Sequence, residues 1–131
     1  MPSKTFPFLS LPQLLVALRV SIAIVFLAHA LVRIANGTIN QFGNFLNSKG
    51  LILGKIFVLA ITVYEITGGI LLALGYFTKW LSAGFIFILA VGIILIHASL
   101  GWFVGEHGSG GSEYSFILIM TLLVIAANQK E

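Results

Sequence analysis

The chain has 131 residues, of which 59% are hydrophobic and 8% are charged, and its formal net charge is +3. Soluble globular domains carry about 25% charged residues, so this composition excludes a soluble domain and indicates a single membrane-embedded domain, residues 1–131. No basic run indicates binding to nucleic acid. Because cysteine is absent, disulfides, thiol relays and thiolate-ligated metals are excluded within the chain, and no metal site is predicted.

The first predicted membrane span covers residues 13–35. Pro12 suits the first turn of a helix, where its missing N–H is not needed, and Asn36-Gly37 is a typical helix stop. The segment has some features of a signal peptide, including the small-x-small pattern that ends at Ala30. Because Arg19 interrupts it and the apolar run continues beyond Ala30, we expect it to be retained as a span.

A polar connection follows over residues 36–50. Within it, Ile39, Phe42, Phe45 and Leu46 are spaced as one face of a short helix. This pattern predicts an amphipathic helix that lies in the membrane interface.

Three further apolar runs predict spans at residues 51–77, 80–100 and 113–127. The turn at Thr78-Lys79 is so short that the third span must return antiparallel beside the second. The last span covers only about 22 Å, so either its ends are tilted into a thinned region of the bilayer, or the preceding loop dips into the membrane. The predicted fold class is therefore all-α, an integral membrane antiparallel four-helix bundle.

Glu65 lies near the middle of the second span, where a carboxylate costs several kcal/mol unless it is paired, protonated or hydrated. Gly68 and Gly69 follow within one turn and allow a neighbouring helix or a flat ligand to approach the backbone. Packing is the commoner use of such glycines. Glu65, together with the backbone of Gly68 and Gly69, which carry no side chains, is nevertheless the first candidate site.

On the first span, a stripe with alternating three- and four-residue spacing comprises Arg19, Ile22, Phe26, His29 and Arg33. Charged residues in spans face the bundle interior or a wet cavity, so this stripe is expected to face the second span. Counting residues from the span ends places Arg19 and Glu65 at similar depth and predicts an ion pair between them.

The same counting predicts a shallower polar ring that comprises His29, Arg33, His97 and Glu113. Glu106 and His107, in the glycine-rich loop before the last span, are candidate lid residues above that ring. Each feature also has a structural interpretation. The ion pair can simply fix register, Arg33 can extend to the interface, the histidines can bond backbone carbonyls, and the loop can be a plain linker.

The order and spacing of these residues resemble the DoxX family of small bacterial membrane proteins over nearly the whole chain. The matching positions are Arg19, His29 to Arg33, Glu65, Gly69, Leu72, Gly75, Thr78, Lys79, His97, Glu113 and Tyr114. The family usually has Gly where this chain has Ala30, and often Lys where it has Arg33. Neither difference removes the basic group.

The resemblance implies a multi-pass protein of the bacterial cytoplasmic (inner) membrane with both termini in the cytoplasm. The family is similar to the small subunit of an archaeal thiosulfate:quinone oxidoreductase, and its members are linked to quinone and oxidative-stress chemistry. It therefore implies membrane or membrane-associated redox proteins as partners, besides the lipid bilayer.

Two classes of function are compatible with these residues. In the first, the chain is a quinone-interacting redox subunit, in which Gly68, Gly69 and Phe26 form a slot, the two histidines bond the ring oxygens, and Glu65 or Glu113 moves protons. As an oxidoreductase subunit it would take its electrons from a partner, because it has no cysteine or nucleotide-binding loop. In the second, it is a non-enzymatic accessory or assembly subunit. A b-type haem between His29 and His97 is the weakest alternative, because a bare histidine pair is a poor metal signal.

Overall fold

The computed structural model describes residues 4–97 and 112–129, without the side chains of residues 96 and 97. All regular structure in these residues is helical, as the sequence predicted. The helices are α1 (Leu11–Ala35), α2 (Ile39–Ser48), α3 (Gly54–Leu74), α4 (Thr78–Gly92), which continues into a π-helical turn (Ile93–His97), and α5 (Ser112–Ala127).

The ends of α1 and α3 follow from local sequence chemistry. Ser10 and Gln13 form a capping box: the Ser10 side chain accepts from the Gln13 backbone N–H, and the Gln13 side chain accepts from the Ser10 N–H. At the same end of the bundle, α3 stops at Gly75, whose φ of +88° is the left-handed conformation that favours glycine. These signals place both helix ends close to the predicted boundaries.

Among the described residues, three helical segments are long and apolar enough to cross a membrane: Leu11–Ala35, Gly54–Leu74 and Thr78–Leu95. The fourth, α5, has 16 residues, so at 1.5 Å per residue it is about 24 Å long. The described part of α5 is therefore shorter than the hydrocarbon layer of a typical bilayer, which is roughly 30 Å thick.

The four long helices form a closed bundle in which α1 packs on α3, α3 on α4, α4 on α5, and α5 on α1. Side-chain contacts show that the neighbours are antiparallel. Arg19, early in α1, contacts Ala73 at the end of α3, and His29, late in α1, contacts Tyr114 at the start of α5. The predicted antiparallel four-helix bundle is confirmed.

The bundle centre is built from aromatic rings that meet across its diagonal. Phe26 of α1 stacks on Phe85 of α4 with ring centroids 4.0 Å apart, and Tyr64 of α3 meets Phe85 edge to face at 4.8 Å. The Tyr64 hydroxyl donates to the Leu81 carbonyl at 2.9 Å. It passes Gly84, where any Cβ would collide with it. This core fixes the position of α1 relative to α4.

The predicted amphipathic helix is present as α2, and it packs on the beginning of α3. Gly43 and Gly54 let the two backbones touch: a Cβ on Gly43 would lie 2.7 Å from the Lys55 Cα. The Asn47 side chain accepts a hydrogen bond of 2.8 Å from the Gly54 N–H, one of the donors that a helix start leaves unpaired. These contacts hold α2 across one end of the bundle.

Candidate functional site

A cavity of about 670 Å³ lies between the five helices, at the end of the bundle where α2 packs. This volume is within the range of about 300–1,000 Å³ that small-molecule sites occupy. Most of the wall is apolar, and it includes the rings of Phe26, Phe42, Phe45, Phe57 and Phe87. The polar or charged side chains on the wall are His29, Arg33, Glu65, Tyr114 and Ser115.

The centre of the polar wall is an ion pair between α1 and α3. Arg33 Nη1 donates to Glu65 Oε1 at 2.9 Å and to Thr62 Oγ1 at 2.8 Å. The Thr62 hydroxyl in turn donates to the Val58 carbonyl at 2.7 Å, which leaves its oxygen free to accept from Arg33. Because charged groups form stronger hydrogen bonds than neutral ones, this network fixes the guanidinium on the wall.

Both charges of this pair are largely removed from the surface, with side-chain exposures of 13% for Arg33 and 5% for Glu65. The Phe42 ring of α2 covers the guanidinium, with 5.5 Å between Arg33 Cζ and the ring centroid, a cation–π contact. Arg33 is therefore covered by the protein and is not exposed at its surface. It points into the cavity and is covered by α2.

The predicted ion pair between Arg19 and Glu65 is wrong. Arg19 lies at the other end of α3, where its Nη2 donates to the Ala73 carbonyl at 3.5 Å and its guanidinium lies beside Gly75. A cation at this position compensates the negative end of the α3 dipole. Arg19 is not on the wall of the cavity described here.

His29 lines the cavity from α1, and its ring meets Tyr114 of α5 edge to face with centroids 6.4 Å apart. His97 ends the π-helical turn, and its side chain lies outside the description. Two residues just before it in the chain, Gly92 and Leu95, line the same cavity. The backbone of His97 is therefore at the expected end of the bundle, and its role as a ligand-binding residue stays a prediction.

Glu113 lies in the first turn of α5 and is partly buried, and its two neighbours, Tyr114 and Ser115, line the cavity. The candidate lid residues Glu106 and His107 lie outside the described residues, so the lid remains a prediction.

Gly68 and Gly69 serve close packing. A Cβ on Gly68 would lie 3.3 Å from Leu81 and 3.4 Å from Phe85, and one on Gly69 would lie 2.9 Å from Leu27. The chain's own side chains therefore approach both glycines closely, and Gly68 also lines an outer groove of α3 and α4, so these two glycines and Phe26 do not form one slot. Of its three predicted residues, Phe26 lines the cavity.

Three contributors to the site were not assigned from the sequence. Thr62 precedes Glu65 by three residues, the spacing that places two side chains on one helix face. Tyr114 belongs to the pattern that resembles the family, but its position alone predicts no role, and the spacing of Phe42 predicts only that it lies on the interfacial face of α2. The helical spacing at Thr62 was the signal that could have been used.

The comparisons with known proteins agree with this architecture. The family model DoxX matches residues 14–98, which is more than half of the 131 residues. Comparison with curated proteins and with solved structures gives no match. The matched segment contains most of α1 and all of α2 to α4, and with them Arg33, Glu65 and most of the cavity wall. The chain is therefore a multi-pass membrane protein that belongs to the DoxX family.

Proposed function

We propose that this protein is a quinone-binding subunit of a redox system in the bacterial cytoplasmic membrane. The observation that carries the proposal is the cavity itself. It combines an aromatic, largely apolar wall with a compact group of polar side chains, His29, Arg33, Glu65 and Tyr114, in a chain whose outer helix faces are apolar. Quinones are amphiphilic in the same way, since a polar ring is joined to an apolar tail.

The wall offers what a quinone ring requires. Its faces need flat apolar neighbours, which Phe26, Phe42 and Phe87 can provide. Its two carbonyl oxygens need hydrogen-bond donors, and the His29 ring N–H and the Tyr114 hydroxyl are donors on the wall. The isoprenoid tail is as apolar as lipid and can leave the cavity between helices.

The chain's own residues account for binding and proton exchange, and a partner must supply electrons. Cysteine is absent and the sequence contains no nucleotide-binding loop, so the donor belongs to another protein or to its cofactor. Histidine and tyrosine side chains can exchange the protons that accompany reduction of a quinone. We place both termini in the cytoplasm, which puts the cavity near the outer surface.

The test is equilibrium binding of a short-tailed menaquinone analogue to the purified full-length protein in detergent. His29→Leu and Tyr114→Phe each remove one polar partner and keep most of the bulk. Each variant should weaken binding by about 1–3 kcal/mol, because a buried ring oxygen is left without its donor. His97→Leu examines the second histidine in the same assay.

Tyr76→Phe is the matched control, since it makes the same chemical change on an exposed tyrosine just after α3. It should bind the analogue as the wild type does. The proposal is contradicted if the folded wild type retains no quinone, or if His29→Leu and Tyr114→Phe retain as much as Tyr76→Phe. The protein would then be an accessory or assembly subunit whose polar interior only stabilises the bundle.

A further inference from the structure

We propose that the Arg33–Glu65 pair makes the cavity selective for an uncharged ring head group, and that Glu65 is the residue that determines this selectivity. The inference rests on the proposed quinone site and deepens it. It predicts that the site accepts a neutral quinone and rejects an ionised analogue of the same size.

The first step is the charge of the wall. Within the part of the chain whose side chains are described, the cavity-lining residues with a formal charge at neutral pH are Arg33 and Glu65. They lie 2.9 Å apart and have opposite signs. Their fields therefore largely cancel at the distance of a bound ring, and the described wall carries no net charge when His29 is neutral.

The second step is that Arg33 is already engaged. Its Nη1 donates hydrogen bonds to both Glu65 and Thr62, and the Phe42 ring covers the guanidinium. An anionic ligand that approached Arg33 would also approach the Glu65 carboxylate, which repels it. Since the surroundings are apolar, a charge without a partner is strongly disfavoured there. A neutral carbonyl oxygen meets neither penalty.

The third step is what Glu65 contributes alone. If Glu65 becomes glutamine, its position keeps nearly the same shape and can still accept a hydrogen bond from Arg33, but the negative charge is gone. The wall then carries the uncompensated positive charge of Arg33. The physical consequence is a site that prefers anionic ligands. The charge of the Glu65 carboxylate therefore decides whether the site prefers a neutral or an anionic ligand.

The experiment compares two naphthoquinones of similar size, 2-methyl-1,4-naphthoquinone and 2-hydroxy-1,4-naphthoquinone, the second of which is ionised at neutral pH. Dissociation constants are measured by equilibrium dialysis with the full-length protein, after subtraction of partitioning into empty micelles. The wild type should prefer the methyl compound. In Glu65→Gln the ratio of the two constants should move toward the hydroxy compound by about tenfold or more, because an unpaired cation attracts the anion at low dielectric.

Three further variants separate the effect of charge from that of shape. Arg33→Met/Glu65→Gln removes both charges and should restore the preference for the methyl compound. Glu131→Gln makes the same acid-to-amide change at the last residue of the chain and should keep the wild-type ratio. His29→Lys adds a cation at an exposed wall position while the ion pair remains, so it should also move the ratio toward the hydroxy compound. If Glu65→Gln does not fold, an unchanged ratio in His29→Lys still overturns the proposal, because it shows that the charge of the wall does not set the selectivity.

The outcomes separate the two proposals. If neither naphthoquinone binds the folded wild type, the proposed quinone site fails. If both bind but the folded variants Glu65→Gln and His29→Lys keep the wild-type ratio, the site stands and selectivity by Glu65 is overturned.

Discussion

Arg33 is held by contacts of three kinds from two other helices: an ion pair with Glu65, a hydrogen bond to Thr62 and a ring contact with Phe42. Glu65 and Thr62 are each 4% exposed. A charge at such a position is tolerated only while its partner remains. The pair is therefore both a structural contact and the reason that the cavity has a polar wall.

The first prediction concerns this pair. Arg33→Met or Glu65→Gln alone should destabilise the protein, by up to about 3–5 kcal/mol where the remaining charge stays unpaired. The double variant should lose less unfolding free energy than the sum of the losses in the two single variants, and the difference, the coupling energy, should be about 1–3 kcal/mol. Thermal unfolding in detergent of all four proteins measures the cycle.

The control is the pair that the sequence suggested. Arg19 contacts the Ala73 carbonyl at the far end of α3, so Arg19→Met and Glu65→Gln should be additive within about 0.5 kcal/mol. If the losses of unfolding free energy are additive for Arg33 and Glu65, or are coupled for Arg19 and Glu65, then Arg33 is not the ion-pair partner of Glu65.

The register between α1 and α3 explains why residue counts from the span ends predict Arg19 rather than Arg33 as the partner of Glu65. Such counts treat the two helices as ending at the same level. In the structure, Gly69 packs against Ala23 and Leu27, and this close contact sets the vertical offset. Arg33 then comes within reach of Glu65. The sequence predicted that Glu65 needs a partner, but it could not supply the offset, which depends on how side chains meet in three dimensions.

At the scale of elements, α2 is a helix whose position, rather than its existence, was hard to predict. Its apolar residues at helical spacing predict a short interfacial helix, and the helix is present at Ile39–Ser48, while its place in the interface stays a prediction. Its docking depends on the backbone contact between Gly43 and Gly54. Since glycine is also typical of turns and loops, nothing in the sequence marked these two as a packing pair. Phe42, Phe45 and Leu46 thereby line the cavity.

The second prediction tests this contact. Alanine favours helices more than glycine by about 1 kcal/mol, so propensity alone predicts that Gly43→Ala is stabilising. The new Cβ would lie 2.7 Å from the backbone of Lys55, which cannot move aside without displacing α3 or α2. We expect net destabilisation of about 1–3 kcal/mol, as in other overpacked sites, together with weaker binding of the quinone analogue.

Asn44→Ala is the matched control, because it changes the next residue of α2, which is exposed. Thermal unfolding and analogue binding should both stay close to the wild type. A Gly43→Ala protein that is as stable and binds as tightly as Asn44→Ala would show that the close contact is not required.

At the scale of the whole molecule, the bundle was the most predictable feature. Apolar runs of roughly 20 residues have few structural alternatives in a membrane, because every backbone polar group must be paired internally. The fourth apolar run is also helical, as α5, and whether it crosses the membrane stays a prediction. The cavity was less predictable, since it arises where five separate helices leave space between them.

The third prediction is the topology. Single cysteines can be introduced without background, since the chain has none. Thr5, Lys79 and Asn128 are exposed at one end of the bundle, and Asn44 is exposed on α2 at the other end. A membrane-impermeant thiol reagent applied to intact cells should label cysteine at Asn44 and spare the other three until the membrane is opened. If the cysteines at positions 44 and 128 are both labelled in intact cells, α5 does not cross the membrane.

The central claim, that the cavity holds a quinone ring, is tested most directly by where a bound quinone lies. A photoreactive azidoquinone is irradiated with the full-length protein in lipid nanodiscs, and the labelled residues are located by mass spectrometry, with and without excess unlabelled quinone. The account predicts label on wall residues such as His29, Phe42 and Tyr114, and its loss under competition. Competed label confined to the outer groove of α3 and α4, at Ala60, Val63 and Thr67, would contradict it.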